Sequence, residues 1–230
     1  MENMKKIGLF LIAAMAVFAF ISCNDSDNDY YTGSTLITVV PVENSNYYFR
    51  QDNGKTVYPS INLVSGYEIP KEEQRAIIYY SLLDSQQEGY DHNIKLFGIE
   101  NILTKNVVLV DSQNELDEIG DDRINVNRVW VGDGYINIIF EFPFNPTSKP
   151  HYINVIQNNV DKSTPNQKDY ITLELRHNAY GDTKGYSYQG IAAFNINDII
   201  NSSYKGIYLR VKNTSGNIIF QKIELEEGYK

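Results

Sequence analysis

The chain has one cysteine, Cys23, one tryptophan and three histidines in 230 residues. A single cysteine excludes an internal disulfide and any metal site built on paired thiolates. His92, His151 and His177 stand far apart and form neither an HxH nor an HExxH arrangement. A glycine-rich phosphate loop and a nucleophile elbow are missing as well, so catalysis is not expected. Basic side chains are scarce: 20 Lys and Arg face 29 Asp and Glu, a formal charge of −9. That sign disfavours nucleic acid, which is bound mainly by neutralising phosphates with a basic face. Long helical periodicity is also missing after Cys23.

The single long apolar run is at the N-terminus, where Lys5 and Lys6 precede Ile7 to Ile21 and the run closes on Ser22 and Cys23. Charged, apolar and small residues in that order mark a secretory signal over residues 1–22. As a helix the run would extend roughly 22 Å, short of a hydrocarbon core of about 30 Å, which disfavours a permanent span. Phe20, Ile21, Ser22 and Cys23 resemble the lipobox of bacterial lipoproteins, with Phe20 a departure from the usual small aliphatic residue. Cys23 is thus the expected lipidation site, and its covalent lipid the sole prosthetic group expected. Asn24 to Asp29 follow as a polar, acidic run, and residues 23–33 read as a solvated tether. Asp25, Asp27 and Asp29 open like an EF-hand loop, but Tyr30 and Leu36 occupy the positions that need Gly and Glu, so no metal is expected. Cleavage before Cys23 leaves 208 residues with 18 basic and 28 acidic side chains, a charge of −10. An anionic lipid surface would repel that charge, so attachment is expected through the acyl chains.

The mature chain alternates short period-2 runs with Asn, Asp, Gly and Pro, the pattern of an all-β protein. Leu36–Val42, Tyr47–Gln51, Thr56–Tyr58, Arg75–Leu83, Asp91–Phe97 and Ile99–Val110 supply about five strands over residues 34–112, suited to a closed barrel such as the OB type, a count that does not choose between barrel topologies. Asn53-Gly54 predicts a type I′ hairpin. Ser112–Asp122 reads as a linker or a single helical turn and carries the domain boundary. Six or seven strands follow, among them Ile136–Phe142, His151–Gln157, Tyr170–His177, Ser187–Asn195, Gly206–Lys212 and Ile218–Leu225. They predict a β-sandwich over residues 113–230.

Four groups of residues carry a family resemblance: YYFRQDNGKTVYP from Tyr47, GYDHNIK from Gly89 with ILTK at Ile102, RVWVGDGYINIIFEF from Arg128, and LRHNAYGD from Leu175 followed by GIAAFNI from Gly190. Together they resemble the NigD-like lipoproteins of Bacteroidota along nearly the whole mature chain. The resemblance implies an N-terminal OB-type five-stranded barrel followed by a C-terminal β-sandwich, with no catalytic residue set. It also implies an outer-membrane or cell-surface location, consistent with the acidic run after Cys23.

Two functions are expected from these features. The first is a non-enzymatic, lipid-anchored envelope protein that binds another protein, linked to bacteriocin or envelope roles. The second is a surface glycan-binding lipoprotein, because 18 tyrosines stand out and Tyr47, Tyr48, Phe49, Tyr79 and Tyr80 offer stacking faces. Each histidine reads as a hydrogen-bonded sheet or loop residue, although two can meet in space. The loop His177–Asp182, continuing to Gly185, is the most distinctive; its Asn and Gly suit positive φ, and Asp182 is its candidate cation ligand.

Overall fold

The computed structural model describes residues 31–43, 46–161 and 167–225. Cys23 and the acidic run to Asp29 lie outside the described residues. The chain divides into two compact units, 1–102 and 103–230.

The first unit is a closed five-stranded barrel. Strands β1 (Gly33–Val42), β2 (Asn46–Arg50), β3 (Thr56–Asn62), β4 (Gln74–Leu82) and β5 (His92–Asn101) close in the order β1-β2-β3-β5-β4. All neighbours are antiparallel except β3 and β5. Alternation decides what is inside: Ile37, Val39, Tyr47, Phe49, Val57, Ala76, Ile78, Ile94 and Leu96 form its core. Their neighbours face outward, as a pleated strand with period 2 requires. The Tyr47 hydroxyl accepts from Asn62 Nδ2 at 2.8 Å, and the Tyr67 hydroxyl donates to Asn101 Oδ1 at 2.8 Å. Burial pushes the Tyr67 phenol up to about 12.

The β2–β3 turn differs from the expected type I′. Gly54 has φ 79°, but Asn53 is not among the non-glycine residues with positive φ. Gly54 N–H instead donates to Gln51 C=O and Gln51 N–H to Lys55 C=O, the bonds of a three-residue loop ending in a left-handed glycine. The same bonds recur at Asn213–Asn217 around Gly216.

The second unit begins at β6 (Leu103–Asn106), continues through Val107 into β7 (Val108–Val110), and then forms α1 (Gln113–Ile119). It continues with β8 (Asn125–Gly132), β9 (Tyr135–Phe144), β10 (Tyr152–Asn158), β11 (Tyr170–Asn178), β12 (Tyr186–Asn195), β13 (Gly206–Lys212) and β14 (Ile218–Glu224). Two sheets result, β14-β13-β11-β10-β7 and β6-β12-β9-β8. A single core, including Ile136, Ile138, Phe140, Leu173, Leu175, Phe194 and Leu209, draws residues from both. The sandwich was legible in the alternation; the boundary was not. β6 and β7, expected in the barrel, pair in parallel with β12 and β10, so the division falls ten residues before the expected one.

The stretch expected as a linker or a single helical turn is a capped helix of seven residues. Ser112 and Glu115 form a capping box at its start, and Gly120 ends it with φ 80°. Leu116 and Ile119 pack with Val110 and Ile156 on the outer face of the five-stranded sheet. The true two-residue turn joins β8 to β9, where Asp133 and Gly134 both have positive φ, 47° and 81°. No helix among the described residues is long and apolar enough to cross a membrane.

Candidate functional site

Cys23, the one residue with expected chemistry, lies outside the described residues. The three histidines are placed in two different ways. His92 begins β5, pairing in register with Val57. His151 and His177 meet in the second unit, with His151 Nδ1 2.9 Å from His177 Nε2.

Their meeting follows from strand parity. His177 continues the inward series Ile171, Leu173 and Leu175 of β11, and its register partner on β10 is Ile153, two residues after His151. Phe142 of the facing sheet stacks on both rings, at 4.5 and 4.8 Å. His177 Nδ1 donates to Arg123 C=O at 2.9 Å, while His151 Nε2 lies 3.4 Å from Asp182 Oδ2. Both ends of this chain are acceptors, so filling it takes three N–H groups on two rings. Two neutral rings bring two, so one of the three links is then without a proton. Burial, with the neighbouring His151, holds His177 below the ordinary histidine value of 6.5.

Asp182 is spent on the protein. Its carboxylate accepts from Asn145 N–H at 2.8 Å, and that bond holds its pKa below the ordinary 3.8. The loop around it is an I′ turn of Tyr180 and Gly181, with φ 50° and 82°, closed by Asp182 N–H donating to Ala179 C=O. No group of three or more His, Cys, Asp or Glu among the described residues has the geometry to hold a metal ion. The His151 side chain is 1% exposed and that of Asp182 9%, so the chain is buried at both.

A second polar cluster lies on the outer face of the same sheet. Arg210 grips Asp121 with both guanidinium nitrogens, at 2.8 and 2.9 Å, and Lys212 donates to Asp121 C=O. Arg176 joins Asp121 to Glu174, which also accepts from Asn158 Nδ2 at 3.1 Å. The charges satisfy one another, the condition for keeping them buried. A shallow hollow of about 490 Å³ nearby is lined by Glu118, Lys149, Tyr152 and Tyr180, with the Lys149 ammonium 3.4 Å from the Tyr180 ring centre.

Aromatics on the barrel exterior form the more open surface. Of the five side chains proposed for stacking, Tyr47 and Phe49 belong to the core. Tyr79 leans edge-on against Tyr31 at 5.2 Å, and Tyr80 packs against the core from the rim. Tyr48 does face outward, where Tyr90 lies 5.6 Å away and Tyr58 lies 4.8 Å beyond Tyr90. The sequence held a signal for Tyr58 and Tyr48, since each neighbours an inward residue. Tyr90 sits in a loop where parity says nothing.

Beside Tyr90, the hairpin between β4 and β5 encloses a pocket of about 720 Å³ lined by residues 82–93. Asp91 pins this hairpin to β3, accepting from the Thr56 N–H and hydroxyl at 2.8 and 2.9 Å. Those bonds hold the Asp91 carboxyl below its ordinary value.

Two family models match the chain: the NigD-like N-terminal OB domain over residues 36–102 and the NigD-like C-terminal beta sandwich domain over residues 106–226. No curated protein matches it. Among solved structures, a protein from Parabacteroides distasonis named as toxin-related is 30% identical, with 84% of this chain and 94% of that one covered and a TM-score of 0.68. A NigD-like immunity protein from Bacteroides caccae is 18% identical, covering 82% and 91%, with a TM-score of 0.61. A Bacteroides fragilis protein named as a lipoprotein shares 11% identity over 86% of this chain and 99% of its own, with a TM-score of 0.62.

Proposed function

The chain belongs to the NigD-like family, and on that premise we propose that it is a lipid-anchored, non-enzymatic protein of the cell envelope that binds another protein, in an immunity role linked to bacteriocins. The observation that carries this reading is the match of both family domains, in order, along the chain. The name of the Bacteroides caccae structure, a NigD-like immunity protein, supports the role. The lipobox-like end at Cys23 and the name of the Bacteroides fragilis structure support the anchor, placed at the outer membrane or cell surface. The buried histidine chain and the self-satisfied ion cluster support a binding protein over an enzyme, because neither presents a free nucleophile or base.

In-cell cross-linking of the acylated protein followed by mass spectrometry tests this. One envelope protein recovered reproducibly above an unrelated lipoprotein control is the expected result. Recovery of nothing beyond that control would overturn the partner reading.

A further inference from the structure

Outside the barrel, β2 and β3 carry two tyrosines whose rings continue onto a third. Tyr48 stands between the inward side chains of Tyr47 and Phe49, and Tyr58 follows inward Val57, so both face away from the core. Tyr90 bridges them, its ring tilted 57° to Tyr48 and 32° to Tyr58. All three are half-buried, so part of each side chain is in reach of solvent. Through Tyr90 the file runs into the β4–β5 hairpin pocket, whose wall carries the amides, hydroxyl and carboxylate of Gln86, Gln87, Asn93, Ser85 and Asp91 beside Leu82, Leu83 and His92.

Asn93 is the register partner of Tyr58 and is 5% exposed. Its Nδ2 donates to Ser85 C=O and Oγ, at 3.1 and 2.9 Å, but its Oδ1 has no donor. A buried acceptor without a donor is costly, and a hydroxyl entering the hairpin would relieve it.

From this juxtaposition we propose that the tyrosine file and the β4–β5 hairpin form a binding site for a neutral oligosaccharide. A pyranose ring presents a C–H face that packs on an aromatic ring and hydroxyls at its edge that need both donors and acceptors. The tyrosines supply the first and the hairpin amides the second. Charge selects the class. No Lys or Arg lines the pocket, and Asp84, Glu88 and Asp91 outnumber its one imidazole, His92, so phosphorylated or sulfated chains are disfavoured. A barrel of this strand order presents the surface of its second and third strands and the loop between its fourth and fifth to extended ligands. The site does not depend on the protein-partner reading, and either can fail alone.

The test is calorimetric titration of the detergent-solubilised full-length protein with cello-, xylo-, manno- and isomalto-hexaose, with heparin hexasaccharide and oligo(dT) as charged comparators. Binding to at least one neutral hexaose and to neither comparator is expected. Tyr90→Ala should weaken it roughly tenfold, while Tyr188→Ala, in the second unit, should leave it unchanged. Hydrogen-exchange mapping on the unaltered protein covers the case of a variant that does not fold: saturating sugar should slow exchange over residues 84–93. No heat with any neutral sugar, binding confined to the charged comparators, or protection elsewhere than the barrel would overturn the proposal.

Discussion

At the scale of the residue, neighbouring tyrosines have opposite tasks. Tyr47 and Phe49 fill the barrel, and replacing either with Ala should cost roughly 3–5 kcal/mol of stability in urea unfolding. Tyr48→Ala, which loses only a tilted contact with Tyr90, should cost about 1 kcal/mol. Equal losses at the three positions would contradict the inward and outward assignment. Cys23 is tested differently: Cys23→Ser should leave the protein unprocessed and absent from the outer-membrane fraction. Unchanged fractionation would refute the lipid anchor proposed above.

Elements show how far local pattern reaches. Asn53-Gly54 and Asp133-Gly134 look alike as hairpin signals, yet only the second is an I′ turn. The difference is the length of chain between paired residues. Gly132 pairs directly with Tyr135, whereas Gln51 and Lys55 hold a three-residue loop. A methyl group at Gly54 meets nothing within 4 Å, but at Gly134 it runs into the Asn197 amide. The Asn197 amide is exposed and can swing aside, so Gly54→Ala and Gly134→Ala should each cost about 1 kcal/mol from backbone conformation in the same unfolding assay. The histidine pair was half legible: parity placed His177 inward, but the pairing of β10 with β11 that brings His151 to it is set by chain far apart. Its consequence is acid sensitivity. His177 has a lowered folded pKa, so its contribution is fully present above 6.5 and is lost as pH falls through the folded value. Asp182, also lowered, adds a second loss below 3.8. Thermal melts should fall as pH drops below 6.5, and His177→Gln should flatten the upper part of that slope; an unchanged slope would contradict the assignment.

For the whole molecule, the all-β pattern and a barrel followed by a sandwich could be read from alternation and strand count, the OB type was implied by the family resemblance, and the boundary could not be read. Ile99 to Val110 mixes apolar and polar residues in strand-like fashion with no Gly or Pro to mark a break, and nothing local says that Leu103 leaves the barrel to pair with Ala192. Fragments make the point measurable. A chain starting at Leu103 should unfold cooperatively, because β6 and β7 edge both of its sheets. One starting at Gln113 loses those edges and buried Val110, and should aggregate or melt without a sharp transition. Equal stability of the two fragments would return the boundary to the helix. The same hop through Val107 also sets an order of events during synthesis. The barrel has all its strands once Asn101 has emerged, whereas β6 waits for partners ending at Asn195. Contacts that distant in sequence form slowly. A completed barrel therefore precedes a sandwich that stays open along one side until most of its chain exists, and for that interval the stretch from Leu103 to Val110 is what chaperones would meet.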